Sequence, residues 1–226
     1  LEREEGERVE REAAAERARL KAFERAQRGT RRMGKMRHAD DVGKYFKHTT
    51  TCVSTNGDST IMLYESGGWA YTADLPDGLY KKLHTRALSH PSPTYVSIGT
   101  ENRYYVRFAN GKSEWVGPES MSETLREEDR TVCSIAFGDS WDSYFVVFTD
   151  GWWTYRGVPE SLDKKIQERG RRSDLECVSL GPDGEWFMRA KNGRAWWGGL
   201  SEKCRDALAT IRPIKDRIKF MDFGDR

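Results

Sequence analysis

The sequence predicts an α+β protein, mainly β, built from four tandem β-β-α-β repeats of about 42 residues that close into a toroid and follow a charged N-terminal helix. Three observations carry this reading. A short apolar run ending in glycine recurs at Gly57, Gly99, Gly138, Gly181 and Gly224, with spacings of 42, 39, 43 and 43 residues. Each of the first four is followed by a strand-like run that ends in a hairpin signal. Each hairpin then leads into a helix start, in the segments LPDGL, GPESM, VPESL and GLSEK. A three-stranded unit cannot bury both faces alone, so such units stack, either in a ring or in an open solenoid. The run Tyr144 to Phe148 is apolar on both alternating faces, which requires cover from both sides. A ring gives every unit that cover, whereas a solenoid needs polar capping units that the sequence does not contain.

In chain order, residues 1–28 read as a charged helix. Seven Glu and three Arg fall in residues 1–16, and nine Lys or Arg against Glu24 alone in residues 17–37, a polarity that opposes the helix macrodipole. Residues 29–47 mix Gly, basic and isolated apolar residues and read as a basic linker or arm. The repeat domain spans residues 48–226, with units at about 50–93, 94–131, 132–174 and 175–216 and a closing strand at 217–224. The first hairpin strands are Ile61 to Glu65, Tyr104 to Phe108, Tyr144 to Phe148 and Trp186 to Ala190. They end in Gly67-Gly68, Asn110-Gly111, Asp150-Gly151 and Asn192-Gly193, the chemistry of two-residue type I′ turns. Trp- and Tyr-rich second strands follow. Leu75, Leu79 and Leu83, then Met121 and Leu125, then Val158, Leu162 and Ile166, and finally Leu200, Cys204, Leu208 and Ile211 form the apolar stripes of four short helices. Closure within the chain is expected from Ile218 to Phe223 pairing beside Ile61 to Glu65.

This order of elements resembles the β-propeller, with a helix in place of each blade's outermost strand, and also the α/β toroid of the pentein superfamily. The pentein resemblance implies a nucleophilic Cys late in the chain, which directs attention to Cys204 in GGLSEKC. Its helix slot is that of Leu79 and Leu162, an apolar core-facing position, so packing is its expected role.

The remaining chemistry is sparse. The 226 residues carry 38 Lys and Arg against 36 Asp and Glu, a net charge of +2, which argues against a nucleic-acid footprint spread over the whole surface. The longest apolar runs are about five residues, too short for a membrane helix. Cys52, Cys133, Cys177 and Cys204 form no CxxC pair, so small buried thiols in an intracellular reducing compartment are expected, with no metal and no cofactor. The chain opens on Leu1, which reads as an internal piece or the product of leader removal. His38, His48, His84 and His90 do not assemble a site, and no P-loop, GxGxxG, GxSxG or HExxH occurs. Asp58, Asp139, Asp142 and Asp183 lie in turns without the spacing of a calcium loop.

Two features stand above this background. Arg107 and Arg189 share a position in the hairpin strands where a charge must reach solvent, a carboxylate or a ligand. Trp69 and Trp152 share the first position after the hairpin Gly, where Lys112 and Arg194 stand in the other units, so the slot is expected to be exposed. The function these features favour is a non-catalytic protein–protein interaction scaffold or structural subunit of a larger assembly. Its candidate contacts are Trp69, Trp152, Arg107, Arg189 and Arg194, with Arg31, Arg32, Lys35 and Arg37 on the arm. The alternatives are a nucleic-acid-associated protein acting through residues 17–37 and a pentein-like or other hydrolytic enzyme.

Overall fold

A computed structural model describes residues 49–56, 59–72, 75–84, 91–170, 172–210 and 218–223; the N-terminal helix and arm expected at residues 1–47 lie outside them. The first unit comprises β1 (Thr50–Asn56), β2 (Ser59–Tyr64), β3 (Trp69–Tyr71) and α1 (Asp77–His84). The second comprises β4 (Pro93–Ile98), β5 (Tyr104–Phe108), β6 (Ser113–Val116) and α2 (Glu119–Glu127). The third holds β7 (Val132–Phe137), β8 (Tyr144–Phe148), β9 (Trp153–Arg156) and α3 (Glu160–Arg169). The fourth holds β10 (Leu175–Leu180), β11 (Trp186–Ala190), β12 (Ala195–Gly198) and α4 (Glu202–Thr210). Each unit is one antiparallel three-stranded sheet in sequential order, so the Gly-terminated strand pairs with the hairpin that follows it. The fold is a propeller-like repeat with a helix after each sheet.

The hairpins differ in turn type from the expectation. Gly67, Gly111, Gly151 and Gly193 have φ of 79°, 82°, 89° and 87°, whereas Asn110, Asp150 and Asn192 do not enter the positive region. Gly111 N donates to Phe108 O, and Phe108 N donates to Lys112 O. This is a three-residue loop, a type I turn closed by a left-handed Gly, rather than a type I′ turn. The Asn and Asp are used for their side chains: Asn110 Oδ1, Asp150 Oδ1 and Asn192 Oδ1 each accept the amide two residues on.

The same bonds correct the alignment of the first unit by one residue. Tyr64 N donates to Gly68 O and Gly67 N to Tyr64 O, so Gly67 corresponds to Gly111, and Gly68 to Lys112, Trp152 and Arg194. Trp69 therefore aligns with Trp153, which the pairings Leu63↔Trp69 and Val147↔Trp153 also require.

The four Gly-terminated strands lie innermost, where β1 meets β4, β4 meets β7 and β7 meets β10. Each carries a bulge at the same place, at Thr51, Thr94, Cys133 and Glu176, which sets Cys52, Tyr95, Ser134 and Cys177 in register. The apolar residues that follow fill the space between units. Val96 and Ile98 of the second unit pack with Ile61, Leu63, Leu79 and Leu83 of the first, and Val178 and Leu180 of the fourth with Phe145, Val147 and Leu162 of the third.

This packing explains the glycine at two of the repeated positions, and at Gly138 a Cβ would instead meet Ser143 of its own unit. A Cβ on Gly99 would lie 2.6 Å from Phe137 Cβ, and one on Gly181 would lie 3.0 Å from Phe223 Cβ. The next inner strand sits against bare backbone, and the neighbouring Cβ is fixed to its own backbone and cannot yield. Gly99→Val should therefore destabilise the protein by about 2–3 kcal/mol, the scale of core overpacking, while Gly111→Ala meets no neighbour and strains only its turn. Chemical denaturation of the two variants separates these effects.

Residues 218–223 continue the series. Ile218, Met221 and Phe223 pack on Cys177, Phe187 and Ala195 of the fourth unit. The segment then reaches β1 rather than β2: Asp222 Oδ2 accepts from Thr55 N at 2.8 Å and from Thr55 Oγ1 at 3.0 Å. The expected pairing beside Ile61 to Glu65 is replaced by this contact with the inner strand, because β1 keeps its own place next to β2.

Candidate functional site

The inner strands and residues 220–223 surround a central cavity of about 360 Å³. An inner strand is an edge strand, and its outward peptide groups need partners. Side chains of the preceding unit supply them at one repeated position. Cys52 Sγ donates to Val96 O at 3.4 Å, Tyr95 Oη to Ile135 O at 3.1 Å, and Ser134 Oγ to Val178 O at 3.5 Å. Tyr95 Oη also accepts from Ile135 N at 2.9 Å. Two residues on, Ser54 Oγ accepts from Ile98 N at 3.0 Å. Asp222 occupies the place of Ser54 and Thr55 that of Ile98, so the closing contact repeats the rule that joins the first unit to the second.

Burial governs the titration of these groups. It pushes the Cys52 thiol up to about 11 and the Cys177 thiol up to about 12, so neither is a nucleophile at neutral pH. Cys133, at the bulge, is also raised by burial and donates to Glu176 O. Cys204 is half-buried on α4 rather than fully buried like Leu79 and Leu162. Among the described residues no group of three or more His, Cys, Asp or Glu could hold a metal.

Burial raises the Asp222 carboxyl above its usual range, and the bonds from Thr55 and Phe223 only partly offset that. The folded state therefore holds the proton more tightly than the unfolded chain. The stabilisation is full below the unfolded value, about pH 4, and is lost as pH rises through the raised folded value. The difference in Tm between the native chain and Asp222→Ala should be largest at the acid end, and a pH series of thermal melts reads it.

The hairpin tips and third strands of the third and fourth units form an aromatic and arginine rim. Trp152 stacks on Trp153 at 6.1 Å and lies under the Arg130 guanidinium at 5.5 Å. Trp196 lies under Arg169 at 3.9 Å and Arg194 at 5.5 Å. Trp153, Tyr155 and Trp196 all pack against one core cluster, shared by the third and fourth units. Arg169 is held by Asp174 at 2.7 Å and Arg130 by Asp150 at 3.2 Å.

The residues singled out in the sequence separate into groups. Trp152 is half-buried and Arg194 exposed, both on this rim. Trp69 is 6% exposed and belongs to the core of the first unit, so the exposure expected of its slot fails with the one-residue shift. Arg107 donates to Val132 O, and Arg189 pairs with Glu176, so the positions expected to need a partner have one inside the chain. Arg31, Arg32, Lys35 and Arg37 lie outside the described residues, as does the whole of residues 17–37. Sequence reasoning missed the pairs Arg130 with Trp152 and Arg169 with Trp196, because each joins residues far apart in the sequence.

It also missed Arg103, whose side chain is wholly buried. Arg103 Nη1 donates to Ser140 O at 2.6 Å, Trp141 O at 3.2 Å and Ser143 O at 3.0 Å, and Nη2 to Gly138 O at 2.7 Å. One guanidinium thus clamps the inner turn of the third unit to that of the second. Burial draws it below the usual guanidinium range, opposed by Glu101, Asp139 and Asp142.

No protein-family model matches the chain, and no curated protein matches it. Among solved structures it is similar to the C-terminal domain of gp131 from bacteriophage phiKZ, at 13% identity over 70% of this chain and 53% of that one, with a TM-score of 0.41. It is similar to the Cps50 (Swd1) β-propeller domain of Myceliophteria thermophila at 12% identity over 67% of this chain and 52% of that one, TM-score 0.37. A third similarity is to YCF48 bound to D1 peptide, at 14% identity over 70% and 54%, TM-score 0.28. The chain spans about half the length of each. No helix among the described residues is long and apolar enough to cross a membrane.

Proposed function

We propose that this chain is a non-catalytic interaction module that holds a partner protein on the aromatic and arginine rim of its third and fourth units. The observation that supports it is the run Arg130, Trp152, Trp153, Trp196, Arg169 and Arg194, half-exposed indoles stacked beside guanidinium groups. Large rigid aromatics with Arg are the side chains on which protein interfaces concentrate their energy. The central cavity offers a ligand less, since Val96 O, Ile135 O, Val178 O, Ile98 N and Thr55 N on its wall are already bonded.

Photo-crosslinking of the full chain in native extract, followed by mass spectrometry, tests this together with the double variant Trp152→Ala and Arg194→Ala. The expected result is a discrete protein crosslinked to the native chain and lost with the double variant, whose Tm stays within about 5 °C because the tip lies outside the inner ring. An indole truncation at a hot spot costs about 2–4 kcal/mol of binding, a loss of roughly 30-fold or more. Crosslinks that survive the double variant, or a stoichiometric small molecule released from the ring centre on denaturation, overturn the reading.

A further inference from the structure

The segment that ends α3 and leads into β10, residues 169–174, reads RGRRSD, and its Ser173 is the only serine of the chain preceded by two adjacent arginines. Residues 172–174 belong to neither helix nor strand, and Ser173 is exposed. The backbone around it is nevertheless fixed to the rim. A Cβ on Gly151 would lie 2.4 Å from Ser173 O, Leu175 N donates to Gly151 O at 3.3 Å, and Trp153 Nε1 donates to Arg172 O at 3.2 Å. On the other side Lys191 N donates to Asp174 O at 2.8 Å. The loop therefore bridges the hairpin tips of the third and fourth units through its main chain.

Its side chains set the charge of the same place. Asp174, next to Ser173, holds Arg169 at 2.7 Å, and that guanidinium lies 3.9 Å from the centre of the Trp196 ring. Arg194 lies 5.5 Å from the same ring. A change of charge at residue 173 thus acts beside the carboxylate that keeps Arg169 on its indole.

We infer that Ser173 is a phosphorylation site for an arginine-directed protein kinase and that the phosphate releases the partner from the rim, an inference that rests on the interaction reading above. Ser173 Oγ attacks the γ-phosphorus of ATP, the bond to the β–γ bridging oxygen breaks, ADP leaves, and the hydroxyl proton passes to the base of the kinase. The arginines ahead of Ser173 are what such a kinase binds through carboxylates of its own. A phosphoserine carries a charge of about −1.5 to −2 at pH 7 and three strong acceptor oxygens, against the single charge of the Asp174 carboxylate. It competes with Asp174 for Arg169 and draws that guanidinium off the Trp196 face. The added negative charge also cancels the attraction that the rim arginines exert on acidic groups of a partner.

Incubation of the full chain with ATP and the catalytic domain of cAMP-dependent protein kinase tests both steps. Tandem mass spectrometry should find a phosphate on Ser173, and none at that position in Ser173→Ala. In a proton–nitrogen correlation spectrum the Trp153 and Trp196 indole N–H signals should move on phosphorylation, while that of Trp186, bonded to Ser161, stays in place. Crosslinking of the partner in extract should fall about tenfold with the phosphorylated chain and return after phosphatase treatment. A folded chain left unmodified at Ser173, indole signals that ignore the phosphate, or a crosslink that survives it overturns the inference and leaves the rim reading standing. An unphosphorylated chain that captures no protein overturns the rim reading and the release step together, while phosphate uptake and the indole signals are read without any partner.

Discussion

Arg103→Met should lower stability by about 3–5 kcal/mol, and with it Tm by roughly 10 °C, even though no charge partner or active group is removed. Met keeps an unbranched apolar stem but ends short of the guanidinium, so a cavity adds only a minor share to the loss. It comes from the carbonyls of Gly138, Ser140, Trp141 and Ser143, which face buried space and lose their donor. Each orphaned buried acceptor costs on the order of 1–3 kcal/mol, moderated where the turn can relax toward water. Arg103→Lys restores the charge but presents a single ammonium where the guanidinium reaches separate carbonyls with two nitrogens, so it should recover only part of the loss. Equilibrium urea unfolding of the three proteins measures the order; equal midpoints would show that the inner turns do not depend on the clamp.

Deletion of residues 214–226 is expected to abolish cooperative folding of the repeat domain. The segment covers Phe187, Cys177 and Ala195 on the fourth sheet and supplies the Asp222 carboxylate that ties β1 to the far end of the chain. Its removal exposes a sheet face and opens the ring at once, producing an apolar surface of the kind that associates. The expected outcome is a broadened, early thermal transition with aggregation. A truncated chain that stays monomeric and melts at nearly the native temperature would show that the units hold together as an open stack.

The repeat was readable in the sequence because its punctuation is set by steric and conformational demands that few residue types meet. Gly99 and Gly181 are forced by the approach of the next strand, the hairpin Gly by a left-handed φ, and the Leu79 and Leu162 positions by full burial. Gly67 and Gly68 both satisfy a turn signal, so the register of the first unit is fixed only by the bonds of Tyr64. The turn type is hidden in the sequence for a related reason. Asn110 and Asp150 tolerate positive φ, yet here they act through their side-chain oxygens.

The candidate rim was less readable. Trp152 and Arg194 could be found as an irregular slot, but the stacking of Arg169 on Trp196 joins two units and leaves no periodic trace. Arg103 stands alone in its column, with Ser143 and Glu185 at the matching places in the next units. A lone charge at a strand start looks like a solvated residue until the neighbouring turn is placed beside it.

The bonds between side chains and strand edges also set an order of assembly. Cys52 reaches Val96 and Ser134 reaches Val178 across 44 residues, whereas Thr55 reaches Asp222 across 167. Loop entropy alone makes the longer closure costlier by about 1 kcal/mol. Units can thus dock in succession along the chain, leaving the Thr55 and Asp222 contact as the last to form and the first to yield. Under a pulling force, or at a pH that charges the buried carboxyl, the ring would part at that seam first, and the loss would spread from there to the neighbouring units.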